Sequence, residues 1–303
     1  MLTREGLQLR AALLHSIRSF FRSQQFLEVD TPVRQPVVIP ESTIDHLPSG
    51  EWYLQSSPEQ AMKRLLAAGS GNIFQLAPCF RRGERGQRHL EEFLMLEWYR
   101  MDADYDALMQ DCRDLIITVV AELSGEPSSQ KLIADSALLK KNLQQPWQRV
   151  TVHDGFLRYC PVSVEEALAT GCFDEMLVEY LEPNLGVRNP EFLVDYPLSQ
   201  ASLARKKAGD NALAERFELY CDGVELANGF SELTDSSEQR IRFEEELERS
   251  GDDFSMMPER FLKELDKIDR AAGIAFGVDR FLMLLMAAPN IEDVVSMAPS
   301  DWF

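Results

Sequence analysis

Glu218 and Glu225 flank Asp222-Gly223, a dipeptide that favours a two-residue β-hairpin turn. With those two residues in the turn, Cys221 faces Val224 and Tyr220 faces Glu225. Glu218 then shares a face with Glu225, one diagonal away at about 7 Å. Two carboxylates so placed suit a shared divalent cation, since Mg2+ takes one or two carboxylates and fills its shell with water and phosphate oxygens. The same spacing also fits a solvated acidic face. In Ala227-Asn228-Gly229-Phe230-Ser231-Glu232, two polar residues four apart, Asn228 and Glu232, share a face of an otherwise apolar strand. Strict alternation puts Asn228 on the face opposite Glu225, so the cluster converges only through a bulge, for which Gly229 marks the expected place.

Two further segments carry chemistry. Phe80-Arg81 ends one strand pattern and Glu92-Phe93 begins the next, with Arg82, Glu84, Arg85, Arg88 and His89 between them. An arginine at a strand end can clamp a phosphate bidentately, while a solvated hairpin tip with surface ion pairs has the same composition. Glu97 and Tyr99, two apart on the return strand, project to one face. In Gly273-Ile274-Ala275-Phe276-Gly277-Val278-Asp279-Arg280 the glycines admit a close ligand or backbone. Arg280 falls in the first turn of the helix that follows, where a cation opposes the helix dipole and a phosphate ligand would offset it. The pattern is unlike the dinucleotide fingerprint.

The elements that must position these residues follow from periodicity. Leu7, Ala11, Leu14, Ile17 and Phe21 recur at helical spacing, and 26–32 forms a short strand closed by Pro32. Residues 34–50, rich in Pro, Ser and Gly, make a loop. Ser57-Pro58-Glu59 opens a helix over 60–68. Strands are expected at 72–81, 92–100, 192–197, 215–221 and 224–230. Helices are expected over 104–124 and 163–181, near 237–250 and 258–266, and over 279–287. The stretch between the first two of these helices carries no clear pattern. Hairpin strands with helices around them predict an α+β fold on an antiparallel sheet.

Bulk composition narrows the class. Of 303 residues, 45% are hydrophobic and 27% charged, which suffices for a large soluble core. No run approaches a membrane span and the start lacks the apolar core of a signal peptide, so a cytoplasmic protein without membrane association is expected. Five scattered cysteines without a CxxC pair argue against a zinc site or a disulfide framework. The net charge of −19 opposes binding of nucleic acid by a basic field.

Taken together, the segments resemble class II aminoacyl-tRNA synthetases of the lysyl branch. Segment 26–32 is similar to motif 1, 80–100 to motif 2 and 273–285 to motif 3. The likeness is carried by Phe80-Arg81, His89, Glu92-Phe93, Met95-Leu96-Glu97-Trp98-Tyr99-Arg100, Gln200-Ala201-Ser202-Leu203-Ala204, and Glu225 to Leu233. These stand in co-linear order from about residue 5 to the end of the chain. Within that branch the chain resembles the elongation factor P–(R)-β-lysine ligases, lysyl-tRNA synthetase paralogues without the anticodon-binding domain. It begins at the catalytic domain, so one catalytic domain over 1–303 with no N-terminal OB-fold is expected. Ser57-Pro58-Glu59 with Met62-Lys63-Arg64-Leu65-Leu66 follows the ligase pattern. Ala275 stands where lysyl-tRNA synthetases carry glycine, and its methyl group would crowd the α-amino pocket in favour of β-lysine.

The resemblance implies ATP-dependent formation of an acyl adenylate and its transfer to a lysine of elongation factor P. Arg81 and Arg280 would be the catalytic residues that grip the ATP phosphates. Gly83, Glu84, His89, Phe93, Glu225, Leu226 and Gly277 would complete the ATP site, and Glu218 and Glu225 would hold Mg2+. Ser57 and Glu59 would meet the non-terminal amino group of lysine or β-lysine, and Asn228 its carboxylate. Glu232, Glu97 and Tyr99 would take the ε-ammonium, since a buried cation needs paired charge. A homodimer through motif 1 is also implied. Other readings are a ligase for another amino acid or a tRNA acceptor, and a non-catalytic regulatory paralogue; the latter would be expected to lack some of Arg81, Glu218, Glu225 and Arg280, all of which are present. Four departures stand out. Gly83 replaces a glutamate, for which Glu84 would substitute. Leu90-Glu91 replaces Asn-Pro, Gln60-Ala61 replaces Tyr-His, and the loop after motif 1 is shortened.

Overall fold

The structure, a computed structural model, describes residues 1–251 and 256–302. The elements in chain order are α1 (Arg4–Ser23), β1 (Leu27–Glu28), β2 (Arg34–Gln35), β3 (Pro48–Ser49), β4 (Trp52–Leu54), α2 (Glu59–Ala67), β5 (Ile73–Phe80), β6 (Glu92–Met101), α3 (Tyr105–Gly125) and α4 (Pro127–Ile133). Then come β7 (Gln148–Thr151), α5 (Val152–Tyr159), α6 (Val164–Thr170), α7 (Phe173–Met176), β8 (Glu191–Pro197), β9 (Lys206–Lys207), β10 (Asp210–Cys221) and β11 (Val224–Ser231). The chain ends with α8 (Ser236–Ser250), α9 (Glu259–Leu265), β12 (Ala271–Gly277) and α10 (Val278–Met286). The main sheet runs β1-β5-β6-β12-β11-β10-β8-β7, with β9 beside β10. Its pairs are antiparallel except β1–β5 and β7–β8. The expected α+β architecture is therefore present.

Alternation along the central strands builds two unlike faces. Leu96, Trp98, Phe217, Leu219, Ile274 and Phe276 turn to one side and join the buried faces of α1, α3 and α10 in the main core. The opposite face carries a row across five strands: Glu218 opposes Asn228, Asn228 opposes Ala275, Ala275 opposes Glu97, and Glu97 opposes Gln75. The next row aligns Arg216, Phe230, Gly273 and Tyr99. Residues far apart in sequence thus meet because strand register stacks them.

Several expectations need correction. Helix α1 forms, but its buried side is Leu9, Leu13, Ile17, Phe20 and Phe21, while Leu7 is 43% exposed. The strand expected over 26–32 is ladder-paired only at Leu27–Glu28, with Val29 N making the last bond to its neighbour, at 2.9 Å from the Phe74 carbonyl. The supposed loop 34–50 includes β2 and β3, which join β4 in a small antiparallel sheet; two-residue strands leave no period to detect. The patternless stretch contains α4, β7 and α5. The helix expected over 163–181 is broken: Gly171, at φ 73°, ends α6, and after α7 one widened π turn covers Leu177–Leu181. Among the described residues no helix is long and apolar enough to cross a membrane.

Candidate active site

The hairpin β10–β11 turns at Asp222 and Gly223, both with positive φ (51° and 68°), as a two-residue turn of the favoured hand requires. Tyr220 pairs with Glu225 and Cys221 with Val224, the register expected from the turn. Leu219 then pairs with Ala227, so Leu226 is the extra residue of a bulge. That bulge turns Glu225 and Asn228, three apart, to one face and keeps Leu226 and Ala227 in the core. The bulge expected at Gly229 is therefore at Leu226. Gly229 serves the core instead: a Cβ there would lie 2.8 Å from the Phe217 ring.

The phosphate-binding candidates meet at this bulge. Asp279, buried at the start of α10, accepts from Leu94 N at 2.7 Å and from Arg10 at 2.6 Å, which ties the helix to β6. The next residue, Arg280, reaches back to Glu225, donating through Nη1 to the carbonyl and to Oε2, each at 3.0 Å. Its Nη2 lies 2.7 Å from His89 Nε2 and its Nε 3.3 Å from the Arg88 carbonyl. Burial would raise the Glu225 carboxyl, but the Arg280 charge holds it below its ordinary range. Arg81 leaves β5 with its guanidinium 5.3 Å from the centre of the Phe93 ring and 3.6 Å from Glu84. Its Nε is buried without a hydrogen-bond partner. Two arginines thus converge on one cleft, also lined by Glu225, Gly277 and Ala275.

Next to it, Glu218 is buried and fully engaged. Tyr196 and Tyr220 donate to Oε2 at 2.5 and 2.6 Å, and Arg216 to Oε1 at 2.5 Å. Burial raises its carboxyl, partly offset by Arg216 and reinforced by Glu225. Arg216 also donates through Nε to Asn228 Oδ1 at 3.1 Å, which leaves the Asn228 amide N–H groups for a ligand. Glu182, near Tyr220 OH at 3.3 Å, adds a third carboxyl, pushed up to about 7 by burial and then by Glu225 and Glu218. Among the described residues no group of three or more His, Cys, Asp or Glu is arranged to hold a metal by itself. Glu218 and Glu225 on one hairpin face nonetheless offer hard oxygens of the kind Mg2+ uses when phosphates complete its shell.

The third part is a buried acidic pocket. Glu97, at 1% exposure, accepts from Ser57 Oγ at 2.5 Å and Tyr99 OH at 3.0 Å. Glu232, at 2% exposure, faces Lys63, whose Nζ lies 2.5 Å from Glu232 Oε2 and 2.5 Å from Glu59 Oε1. Lys63 thus covers Oε2 of Glu232, while Oε1, equally buried, lacks a hydrogen-bond donor. Burial, then the Glu59 charge, pushes Glu97 up to about 8. Burial and Glu59 likewise raise the Glu232 carboxyl, against the pull of Lys63, which holds the pair together. Gly273 is the floor: a Cβ there would stand 2.2 Å from the Tyr99 ring and 2.3 Å from Glu232 Oε1. Gly273→Ala should therefore lower stability by about 1–3 kcal/mol through overpacking. Chemical denaturation would check this, and an unchanged midpoint would show that the pocket yields freely.

Of the residues singled out for the site, Gly83 alone stands away from the cleft and its walls. Gly83 is exposed at the loop tip, where its N–H donates to Glu91 at 2.7 Å, and Leu226 both packs in the core and lines the cleft. Ser57 and Glu59 do not form a pocket apart from Glu97 and Glu232; Ser57 and Lys63 join all of them in one network. Arg216, Tyr196, Glu182 and the role of Lys63 were missed. Lys63 was detectable as the partner of Glu59 four residues earlier on a helix. Arg216 was detectable as the residue two before Glu218 on the same strand face.

The chain belongs to the class II tRNA synthetase family, and residues 2–299 match the family described as tRNA synthetases class II (D, K and N). It is 36% identical to the elongation factor P–(R)-β-lysine ligase of Proteus mirabilis, over 95% of this chain and 93% of that protein. It is 38% identical to the enzyme of the same name from Edwardsiella ictaluri, over 95% of this chain and 93% of the other. With that of Histophilus somni the identity is 37%, over 96% and 94%.

Proposed function

We propose that this chain, as one catalytic domain over 1–303, activates (R)-β-lysine or lysine with ATP and transfers the aminoacyl group to a lysine of elongation factor P. The observation that carries this reading is the charge balance of the acidic pocket. Glu59, Glu97 and Glu232 stand around Lys63, and the buried Oε1 of Glu232 lacks a donor among the described residues. A substrate ammonium brings the missing charge and three donors. The names of the relatives and the family of the chain supply the reaction class.

The chemistry divides along the cleft. The substrate ε-ammonium enters among Glu97, Tyr99 and Glu232, and the Asn228 amide, held by Arg216, takes the carboxylate. A carboxylate oxygen attacks the α-phosphorus of ATP, forming the acyl–phosphate bond as the bond to pyrophosphate breaks. Arg81 and Arg280 bind the phosphates and stabilise the charge that develops during this transfer. Phe93 and His89 flank the adenine, with Glu84 near its edge and Gly277 leaving room for the nucleotide. Glu218 and Glu225 would hold Mg2+, which when bound neutralises phosphate oxygens. The acceptor amine then attacks the acyl carbon and AMP leaves. Ala275, between Asn228 and Glu97 in register, places its methyl group between the two ends of the substrate and favours a displaced amino group. A homodimer through the 26–32 segment belongs to the same reading; Leu27 within it is 55% exposed.

The test is amino-acid-dependent ATP–pyrophosphate exchange with α-lysine, (R)-β-lysine and (S)-β-lysine. Strongest exchange with (R)-β-lysine supports the proposal, preference for α-lysine removes the role of Ala275, and no exchange with any of them rejects activation of lysine. Substrate affinity should also depend on pH. In the free protein Glu97 keeps its proton up to about pH 8, whereas unfolded carboxyls lose theirs near the ordinary value of 4.5. The free protein therefore loses stability as pH rises through that window. Ammonium binding needs the ionised Glu97 carboxylate, so a proton leaves on binding and affinity rises from pH 6 towards about 8. Calorimetry in two buffers of different ionisation enthalpy should show net proton release at pH 7, and none would count against the pocket.

A further inference from the structure

The segment between β2 and β3 delivers one carboxylate to the cleft wall. Glu41 lines the same cavity as Arg81, Gln200, Glu218 and Asn228. Its loop is fastened at that residue and immediately after it. The Glu41 carbonyl accepts from Ile44 N at 3.1 Å, closing a turn, and Ser42 N donates to Glu246 Oε2 of α8 at 2.9 Å. The Glu41 carboxylate itself, half-buried, has no hydrogen bond or ion pair among the described residues.

The neighbouring charges are already committed. Lys63 lies 2.5 Å from both Glu59 and Glu232, Arg249 is 2.9 Å from Glu246, and Arg81 faces Glu84 at 3.6 Å. Burial first, then the charges of Glu59 and Glu246, push the Glu41 carboxyl up to about 7, against the pull of Arg81 and Lys63. The wall is short of a cation at this position, and an ammonium supplies one together with its donors. Glu97 and Glu232, with Tyr99, form the deeper pocket, so a second ammonium at Glu41 belongs to a different part of the same ligand. We propose that Glu41, with Glu59, is a specificity-determining residue that receives the non-terminal amino group of a diamino-acid substrate. This rests on the amino-acid-activating reading above.

The experiment compares the wild type with Glu41→Gln in ATP–pyrophosphate exchange on (R)-β-lysine, α-lysine and 6-aminohexanoate, which lacks the second amino group. The wild type should prefer a diamino acid to 6-aminohexanoate. Glu41→Gln should raise KM for the diamino acid by about 10- to 100-fold, with kcat little changed, the KM for ATP unchanged and 6-aminohexanoate handled as by the wild type. Glu41→Ala, alongside, should show the same selective loss, and thermal unfolding of both variants reports on the fold. Equal losses on all three amino acids, or no loss on any, would overturn the inference while leaving the activating reading intact. Normal exchange with slowed transfer to elongation factor P would also overturn it, in favour of a base acting on the acceptor amine. Absence of exchange in the wild type overturns both readings.

Discussion

Arg280→Ala should lower amino-acid-dependent ATP–pyrophosphate exchange by at least about 10²- to 10³-fold, the usual consequence of removing one preorganised donor to developing charge. The argument is geometric. Arg280 is held by Glu225, by the Arg88 carbonyl and beside His89, on a helix that Asp279 pins to β6. Its guanidinium is thus in place before a ligand arrives, and substitution removes a fixed charge. It also frees Glu225 from the cation that holds its carboxyl down. Arg280→Lys should recover little, because an ammonium cannot bridge several acceptors in one plane. Exchange within tenfold of the wild type would remove Arg280 from the chemistry.

The second large effect concerns stability. Lys63→Met should destabilise the protein by about 3–5 kcal/mol at neutral pH, as removal of one partner of a buried ion pair does. Lys63 is 1% exposed and lies 2.5 Å from carboxylates on both sides, so its loss leaves Glu59 and Glu232 facing each other without a counter-charge. The carboxyls would respond by taking up protons, so the loss should be smaller at pH 6 than at pH 9. Adding Glu232→Gln should restore part of the stability, because the two substitutions act on one network. Denaturant unfolding of the two variants at both pH values checks this. A midpoint unchanged by Lys63→Met would mean that the pocket is more hydrated than its burial indicates.

Much of this site was legible from local rules. Asp222-Gly223 set the hairpin register correctly because a two-residue turn leaves little freedom, and alternation put Glu97 and Tyr99 on one face without further help. The bulge was needed in principle but misplaced, since Leu226 and Gly229 are both buried and only cross-strand pairing tells them apart. Glu41 and Glu182 could not be read at all. The first sits in a connecting segment without periodicity, and the second in a short turn just past the end of the stretch patterned as helix. Their environments come from elements far away in sequence, α8 for one and the β10–β11 hairpin for the other.

The row from Glu218 through Asn228 and Ala275 to Glu97 has one more consequence. Neighbouring strands are about 4.8 Å apart, so the two backbone steps from Asn228 to Glu97 span roughly 10 Å. That length is set by the hydrogen-bonded ladder and does not drift with loop motion. The sheet therefore acts as a ruler for the chain length of its ligand. A diamino acid one methylene shorter, such as ornithine, would leave one end unmet, and no loop substitution would recover the gap. Accepting it would require a longer side chain reaching inward at one end of the row, or moving the anchor to the adjacent strand.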